Sequence, residues 1–92
     1  MKFDCDIQKS KNNKTKHGID FEEAAQVWND ENIIILRSPY MEERRFLAIG
    51  HMYNKIWTVV FTPRNDIIRI ISARRARDEE IAYYETHKTN ER

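Results

Sequence analysis

Apolar side chains recur with two different spacings along the chain, and the change in spacing predicts where helices give way to strands. The segment Phe21–Trp28 has its apolar residues at helical intervals, and Asp20 followed by Glu23 matches a variant of the capping box. Upstream, Gln8–Lys16 contains good helix formers and is followed by Gly18, which suits a helix stop. Two helices are therefore predicted in the first third of the chain.

The remainder of the chain alternates between β-branched runs and turn residues, apart from a last helical segment, Asp78–Glu85, with Asp78 as a possible N-cap. Residues 63–66, Pro-Arg-Asn-Asp, have the composition of a tight turn. We expect an α+β fold in one domain, residues 1–92, with helices packed against one face of a four-stranded antiparallel sheet. The predicted strands are Ile33–Leu36, Arg45–Ile49, Lys55–Thr62 and Ile67–Ser72.

Composition argues against several functional classes. The longest apolar stretches, Ile33–Leu36 and Ile56–Phe61, are far shorter than the roughly 18 residues that a membrane-spanning helix needs. Residues 1–10 lack the apolar segment of a secretory signal, so we expect a cytoplasmic protein. With one cysteine, two glycines and three widely separated histidines, we expect neither a metal site nor a nucleotide cofactor.

The formal net charge of +1 conceals an uneven distribution. Residues 1–20 carry +2, residues 21–36 carry −4, residues 37–77 carry +6 and residues 78–92 carry −3. Eight of the nine bases in residues 37–77 are arginines, whose planar guanidinium suits bidentate contact with phosphate. The alternative is a solvated face that forms ion pairs with the acidic segments.

The most informative stretch runs from Arg69 to Arg77, where a β-branched strand leads into three further arginines. If the strand continues to Ser72, strict alternation places Ile71 on the face of Arg69, and Ile70 and Ser72 on the other face.

Continued alternation places Arg74 on the face opposite to Arg69, unless the strand ends before Arg74. An arginine flanked by core-type residues needs an acidic partner or a functional role. The candidate partners are Glu42, Glu43 and the acids of the helical segments; the functional alternative is a phosphate-binding cradle.

Two smaller clusters of charged residues are candidates for proton transfer or phosphate binding. The segment Glu42–Arg45 mixes both signs before a predicted strand, which is typical of an exposed surface, although a carboxylate beside arginines can also act as a base or orient one. Lys14, Lys16 and His17 form a basic cluster at the end of the first predicted helix. A histidine there is typically a partner of the helix dipole, but its titration near neutral pH also makes it a candidate proton carrier.

Short motifs are distributed along nearly the whole chain. Those of the first part are Phe3-Asp4 with Asp6, Lys9, Asn13, Lys16-His17-Gly18 and Phe21-Glu22-Glu23-Ala24. Those of the second part are Glu43-Arg44-Arg45, Ala48-Ile49-Gly50, Val59-Val60-Phe61-Thr62 with Arg64, and Arg69-Ile70-Ile71-Ser72-Ala73-Arg74-Arg75-Ala76 with Glu80 and Tyr84-Glu85. In this combination residues 3–85 resemble the BrnT toxins of bacterial and archaeal type II toxin–antitoxin systems.

The resemblance implies a RelE-like α+β fold, a ribonuclease activity that inhibits translation, and neutralisation by a BrnA-type antitoxin. BrnA proteins resemble ribbon-helix-helix DNA-binding proteins, so the expected hetero-oligomer would repress its own operon and contact DNA only through the antitoxin. Three positions depart from the family pattern: Cys5 replaces a usual Trp, Arg77 replaces a Thr that commonly opens the last helix, and Ile81 replaces a frequent Arg.

Residue type and clustering suggest roles in metal-free RNA cleavage, which needs a base, an acid and donors for the charge that develops on the phosphate. The residues expected to hold and stabilise the scissile phosphate are Arg45, Arg69 and Arg74. The proton-transfer candidates are His17 and Glu43. The residues expected to contact RNA elsewhere are Lys16, Arg64 and Arg75.

A non-catalytic RNA- or protein-binding module is the alternative function, in which the basic segment docks on ribosomal RNA or on an acidic partner. Salt dependence of binding would not separate the two functions, because both use phosphate or carboxylate contacts. In the last helical segment, Tyr83 and Tyr84 either form a docking surface for an antitoxin or pack that helix onto the sheet.

Overall fold

The computed structural model describes residues 1–38 and 44–90, with side chains described as far as residue 88. The helices are α1 (Ile7–His17), α2 (Phe21–Ala24), which continues into a 3₁₀ helix (Ala25–Asn29), and α3 (Asp78–Asn90). The strands are β1 (Lys2–Asp4), β2 (Ile34–Arg37), β3 (Phe46–Met52), β4 (Lys55–Arg64) and β5 (Ile67–Arg75). The predicted helices and strands are confirmed with changes of boundary, and β1 is additional. The predicted turn at residues 63–66 is too long, because Pro63 and Arg64 belong to β4 and pair with β5.

The strands form one five-stranded sheet in the order β1-β5-β4-β3-β2. Strands β2 to β5 form the predicted antiparallel meander, but β1 pairs with β5 in parallel. The prediction of a four-stranded, purely antiparallel sheet is therefore wrong. The prediction missed β1 because this strand has three residues, which are too few to show the alternation that identifies a strand in a sequence.

Helix α2 begins, and helix α1 ends, at the capping residues that the sequence predicts. Asp20 accepts a hydrogen bond from the Glu23 backbone at 2.8 Å, and Glu23 accepts one from the Asp20 backbone at 2.9 Å, which completes the capping box. Helix α1 ends at Gly18, whose φ of 87° lies in the left-handed region and whose N–H donates to the Lys14 carbonyl. The chain therefore turns sharply between the two helices.

The main core lies between the N-terminal helices and one face of the sheet, called here the helical face. The side chains on this face of β4 are Trp57, Val59 and Phe61, all at most 5% exposed. They pack against the buried residues of the helical segment, which are Ile19, Phe21, Ala24 and Val27. Because side chains alternate along a strand, Thr58, Val60 and Thr62 lie on the opposite face.

Helix α3 packs on that opposite face, so the expectation that all helices share one face is wrong. Its Glu80 accepts a hydrogen bond from Thr58 at 2.9 Å, and its Tyr84 is 2% exposed. The Tyr84 hydroxyl donates to Asp30 at 2.5 Å. Tyr84 is thus a packing residue, whereas Tyr83 is 40% exposed.

The start of α3 differs from the predicted cap. Arg77, rather than Asp78, is the capping residue, because its carbonyl accepts the first helical hydrogen bond from the Ile81 N–H at 2.9 Å. The Arg77 N–H donates to the Glu80 side chain at 2.8 Å, so the carboxylate half of a capping box is present. This geometry carries Glu80 to the strand-to-helix junction.

Candidate functional site

A β-bulge in β5 brings its two central arginines to the same face of the sheet. Val60 is paired with Ser72 and Phe61 with Ile70, so Ile71 is an extra residue between two successive pairs. The bulge shifts the alternation by one residue, and Ser72 therefore lies on the face opposite to Ile70. The prediction that Ile70 and Ser72 share a face is wrong for this reason.

The same shift decides the placement of the arginines. Arg69 is paired with Thr62 and Arg74 with Thr58, and paired residues project from the same face of a sheet. Thr58 and Thr62 are four positions apart in regular β4 and lie on the same face, so Arg69 and Arg74 share the face opposite to the helical face. Four steps of about 3.3 Å place their backbones about 13 Å apart. We call this surface the arginine face.

Two more predicted arginines belong to the arginine face. Arg45 directly precedes β3, and its neighbour Phe46 is paired with Phe61 on the helical face, so Arg45 projects from the other side. The Ser38 N–H donates to the Arg45 carbonyl at 3.0 Å, which extends the β2–β3 pairing by one step. Arg64 lies two residues beyond Thr62 at the end of β4 and is exposed.

Arg69 forms an ion pair with Asp4 of β1, its register partner, at 2.6 Å. The candidate partners named from the sequence, Glu42, Glu43 and the acids of the helical segments, did not include Asp4, because the parallel pairing of β1 was not predicted. The side chains of Arg69 and Asp4 are 30% and 49% exposed. Because water screens such a pair, the guanidinium can exchange Asp4 for another anion at little cost.

Arg74 is held much more firmly, by Glu80 of α3. Its Nη1 donates to Oε1 at 2.8 Å and its Nη2 donates to Oε2 at 2.9 Å, which is a bidentate pair. Thr58 Oγ1 and the Arg77 N–H also donate to Oε1, at 2.9 and 2.8 Å. Burial alone would raise the pKa of Glu80, but these hydrogen bonds and the Arg74 charge outweigh burial and lower the pKa to about 2. Glu80 is therefore ionised at neutral pH.

Arg75 lies on the other side of the sheet from Arg74. It is paired with Trp57, and its guanidinium carbon is 5.8 Å from the centre of the Trp57 ring. This is a cation–π contact on the helical face. Lys16, which is also predicted to contact RNA, is exposed in the last turn of α1. The strand register therefore places Arg75 on the face opposite to the arginine face, and Lys16 lies outside the sheet.

His17 is the last residue of α1 and is half-buried. Helix α1 follows Asp4, which is paired with Arg69, and its Asn13 bonds to the backbone of Ala73, so the helix runs along the edge of β5. His17 lies one turn, about 6 Å, beyond Asn13. Across the described side chains, none forms a hydrogen bond with the His17 ring. The other proton-transfer candidate, Glu43, lies outside the described residues.

Three residues of this surface received no role from the sequence. Asp4 and Thr58 carry no local signal, because each acquires its contact through strand pairing. Glu80 carries one, since a glutamate three residues after a helix-capping position is half of a capping box. A capping carboxylate beside an arginine-rich strand end is the pattern that points to the pair with Arg74.

Among residues 1–38 and 44–90, no group of three or more His, Cys, Asp or Glu side chains is placed to hold a metal ion. The helices in this same part of the chain are too short or too polar to cross a membrane.

The fold and the surface define a small α+β domain with arginines aligned on one sheet face, an arrangement suited to a polyanion such as RNA. Residues 6–80 match the family model described as the ribonuclease toxin, BrnT, of type II toxin–antitoxin systems. The chain therefore belongs to the BrnT family, and the resemblance found in its motifs is confirmed. A search of curated proteins gives no match.

Proposed function

We propose that this chain is a RelE-like, metal-independent endoribonuclease whose arginine face holds the scissile phosphate through Arg45, Arg69 and Arg74. The observation that carries the proposal is the β-bulge at Ile71, which brings Arg69 and Arg74 to one face although they are an odd number of residues apart. Membership in a family of ribonuclease toxins supports the same activity.

The two strand arginines suit different parts of this task. The exposed Arg69–Asp4 pair is weak enough for an RNA phosphate to replace the carboxylate. Arg74 is fixed by Glu80 and can oppose the charge that develops on the phosphate during attack by the 2′-hydroxyl. Arg64 extends the basic surface along β4.

Proton transfer is assigned to His17 or Glu43, which are alternatives. An imidazole has two ring nitrogens and can serve as base and acid in turn. Glu43 precedes Arg45 by two residues in the chain. The pH–rate profiles of His17→Gln and Glu43→Gln distinguish them, because removal of the essential base removes the corresponding limb of the profile. Lys16 and Arg75 would contact flanking phosphates where the RNA passes the edge of β5.

As a toxin, the protein would inhibit translation in the cytoplasm, and a BrnA-type ribbon-helix-helix antitoxin would neutralise it and carry the complex to operon DNA. The family is one of type II toxin–antitoxin systems, which implies an antitoxin partner. Co-purification with the product of an adjacent ribbon-helix-helix gene tests this part of the proposal. A solitary gene with no such neighbour argues against it.

The central test is cleavage of RNA by the purified protein in the presence of EDTA. We expect discrete fragments from the wild type and a loss of about 10²- to 10³-fold in rate for Arg74→Ala, because one donor to a developing anion is typically worth that much. Arg69→Ala is expected to weaken cleavage as well. The matched control is Arg37→Ala, which removes an exposed arginine from β2.

Intact RNA with the wild type would favour the alternative function, a non-catalytic RNA- or protein-binding module. Folding of each variant is verified by circular dichroism. If folded Arg69→Ala and Arg74→Ala variants arrest growth as the parent does, the arginine face is not the active site.

A further inference from the structure

The guanidinium of Arg74 is bound in a way that leaves one of its edges open. Glu80 takes one hydrogen from Nη1 and one from Nη2, and the Arg75 carbonyl accepts from Nη1 at 3.3 Å. These contacts use three of the five N–H groups. The remaining two, on Nε and Nη2, lie along the same edge of the plane and have no acceptor within the described part of the chain. That edge has the spacing of a bidentate phosphate contact.

Glu80 cannot easily swing away from this position. Its side chain is 12% exposed, and its Oε1 atom is bound by Thr58 from β4 and by the Arg77 backbone as well as by Arg74. The Glu80 carboxylate is thus held by Thr58 of β4, by the Arg77 N–H at the start of α3 and by Arg74 itself. Arg69 provides the contrast, because Asp4 binds only its Nη1 and is half-exposed.

We propose that Glu80 is a positioning residue for RNA cleavage, which holds Arg74 end-on so that its Nε–Nη2 edge is presented to the reacting phosphate. This inference rests on the proposed ribonuclease function. Glu80 itself does not touch RNA; it acts through Arg74. Without the carboxylate, the guanidinium can still attract RNA by its charge but no longer has a fixed orientation, so the loss is expected in the chemical step rather than in binding.

The test compares Glu80→Gln with Glu79→Gln, the same substitution at the preceding, exposed position of α3. A 5′-labelled RNA oligonucleotide is cleaved with excess protein in EDTA, and its 2′-O-methyl analogue measures binding without cleavage. For Glu80→Gln we expect a maximal rate lower by about tenfold or more with an affinity changed by less than about threefold, because misplacement of a catalytic group affects rate more than binding. Glu79→Gln is expected to match the wild type in both.

A double-mutant cycle separates positioning from a purely structural role of Glu80. If Glu80 acts through Arg74, Glu80→Gln causes no further loss of rate in an Arg74→Ala background. A purely structural role predicts the same loss in both backgrounds, and that result would overturn the inference.

Thr58→Val provides a second variant should Glu80→Gln fail to fold. It removes one hydrogen bond from Glu80 while the carboxylate and both bonds to Arg74 remain, and a loss of a few-fold in maximal rate is expected. A folded Thr58→Val or Glu80→Gln protein that cleaves at the wild-type rate overturns the positioning role alone. A wild type that cleaves no RNA overturns the proposed function, and this inference with it.

Discussion

The side chain of Asn13 completes the edge of the sheet where β1 stops. β1 reaches only to the level of Arg69, and beyond it the backbone of Ala73 is bound by a side-chain amide. Asn13 Nδ2 donates to the Ala73 carbonyl at 3.0 Å and to the Ile19 carbonyl at 2.8 Å, while its Oδ1 accepts from the Ala73 N–H at 3.2 Å. Asn13 is 7% exposed, so water does not readily replace these bonds.

Asn13→Ala should therefore be strongly destabilising. The substitution removes three hydrogen bonds and leaves a buried N–H and two carbonyls without partners, and each such group costs about 1–3 kcal/mol. Allowing for some entry of water, we expect a loss of about 2–4 kcal/mol in the free energy of unfolding. For a domain of this size that loss corresponds to a fall in Tm of roughly 10–25 °C.

Urea unfolding followed by circular dichroism measures this loss, with Asn12→Ala as the matched control. Asn12 is exposed and accepts one hydrogen bond from Gln8, so its replacement should cost less than about 0.5 kcal/mol. Asn13→Asp should be at least as destabilising as Asn13→Ala, because a carboxylate would face two carbonyl oxygens. A loss below about 1 kcal/mol for Asn13→Ala would refute the role assigned to this amide.

Two further predictions concern close packing and acid stability. A Cβ at Gly50 would lie 2.6 Å from Val27 Cγ1 and 3.2 Å from the Val27 carbonyl oxygen, so Gly50→Ala should lower the free energy of unfolding by about 1–3 kcal/mol; an unchanged urea midpoint would contradict this. The pKa of Glu80 is lowered from 4.5 to about 2 in the folded state, so its stabilisation is complete above pH 4.5 and is lost as the pH falls towards 2. Allowing for solvent screening of the partly exposed pair with Arg74, the stability difference between wild type and Glu80→Gln should shrink by about 1–2 kcal/mol between pH 6 and 2.5. A difference that is constant with pH would show that Glu80 does not have this lowered pKa.

The order of the helices and of the four meander strands could be predicted because each has a local signal. Asp20 and Glu23 identify a helix start, and Gly18 identifies a helix end, through interactions with residues close in the chain. β1 has no such signal. Its three residues acquire strand geometry only from β5, which lies more than sixty residues later.

The faces of β5 could not be predicted because alternation holds only while the pairing is regular. Nothing in Arg69–Arg75 identifies Ile71 as the extra residue; the bulge is defined against Val60 and Phe61 of the neighbouring strand. A sequence read alone therefore separates two arginines that the sheet brings to one face.

The sequence names the arginines of the candidate site but does not tell which face of the sheet or which partner each of them has. Arg45, Arg64, Arg69 and Arg74 all lie on the arginine face, whereas Arg75 contacts Trp57 on the other side of the sheet. The partners depend on the pairing of β1, which brings Asp4 to Arg69, and on the path of α3, which brings Glu80 to Arg74. Charge patterning along the sequence does not contain that information.

The parallel pairing of β1 with β5 also sets an order for folding during synthesis. Asp4 and Arg69 are 65 positions apart, so Asp4 leaves the ribosome well before its partner exists. At about 5–20 residues per second the delay is roughly 3–13 seconds. β1 has no strand partner until β5 has been synthesised, and the arginine face is assembled only after that point.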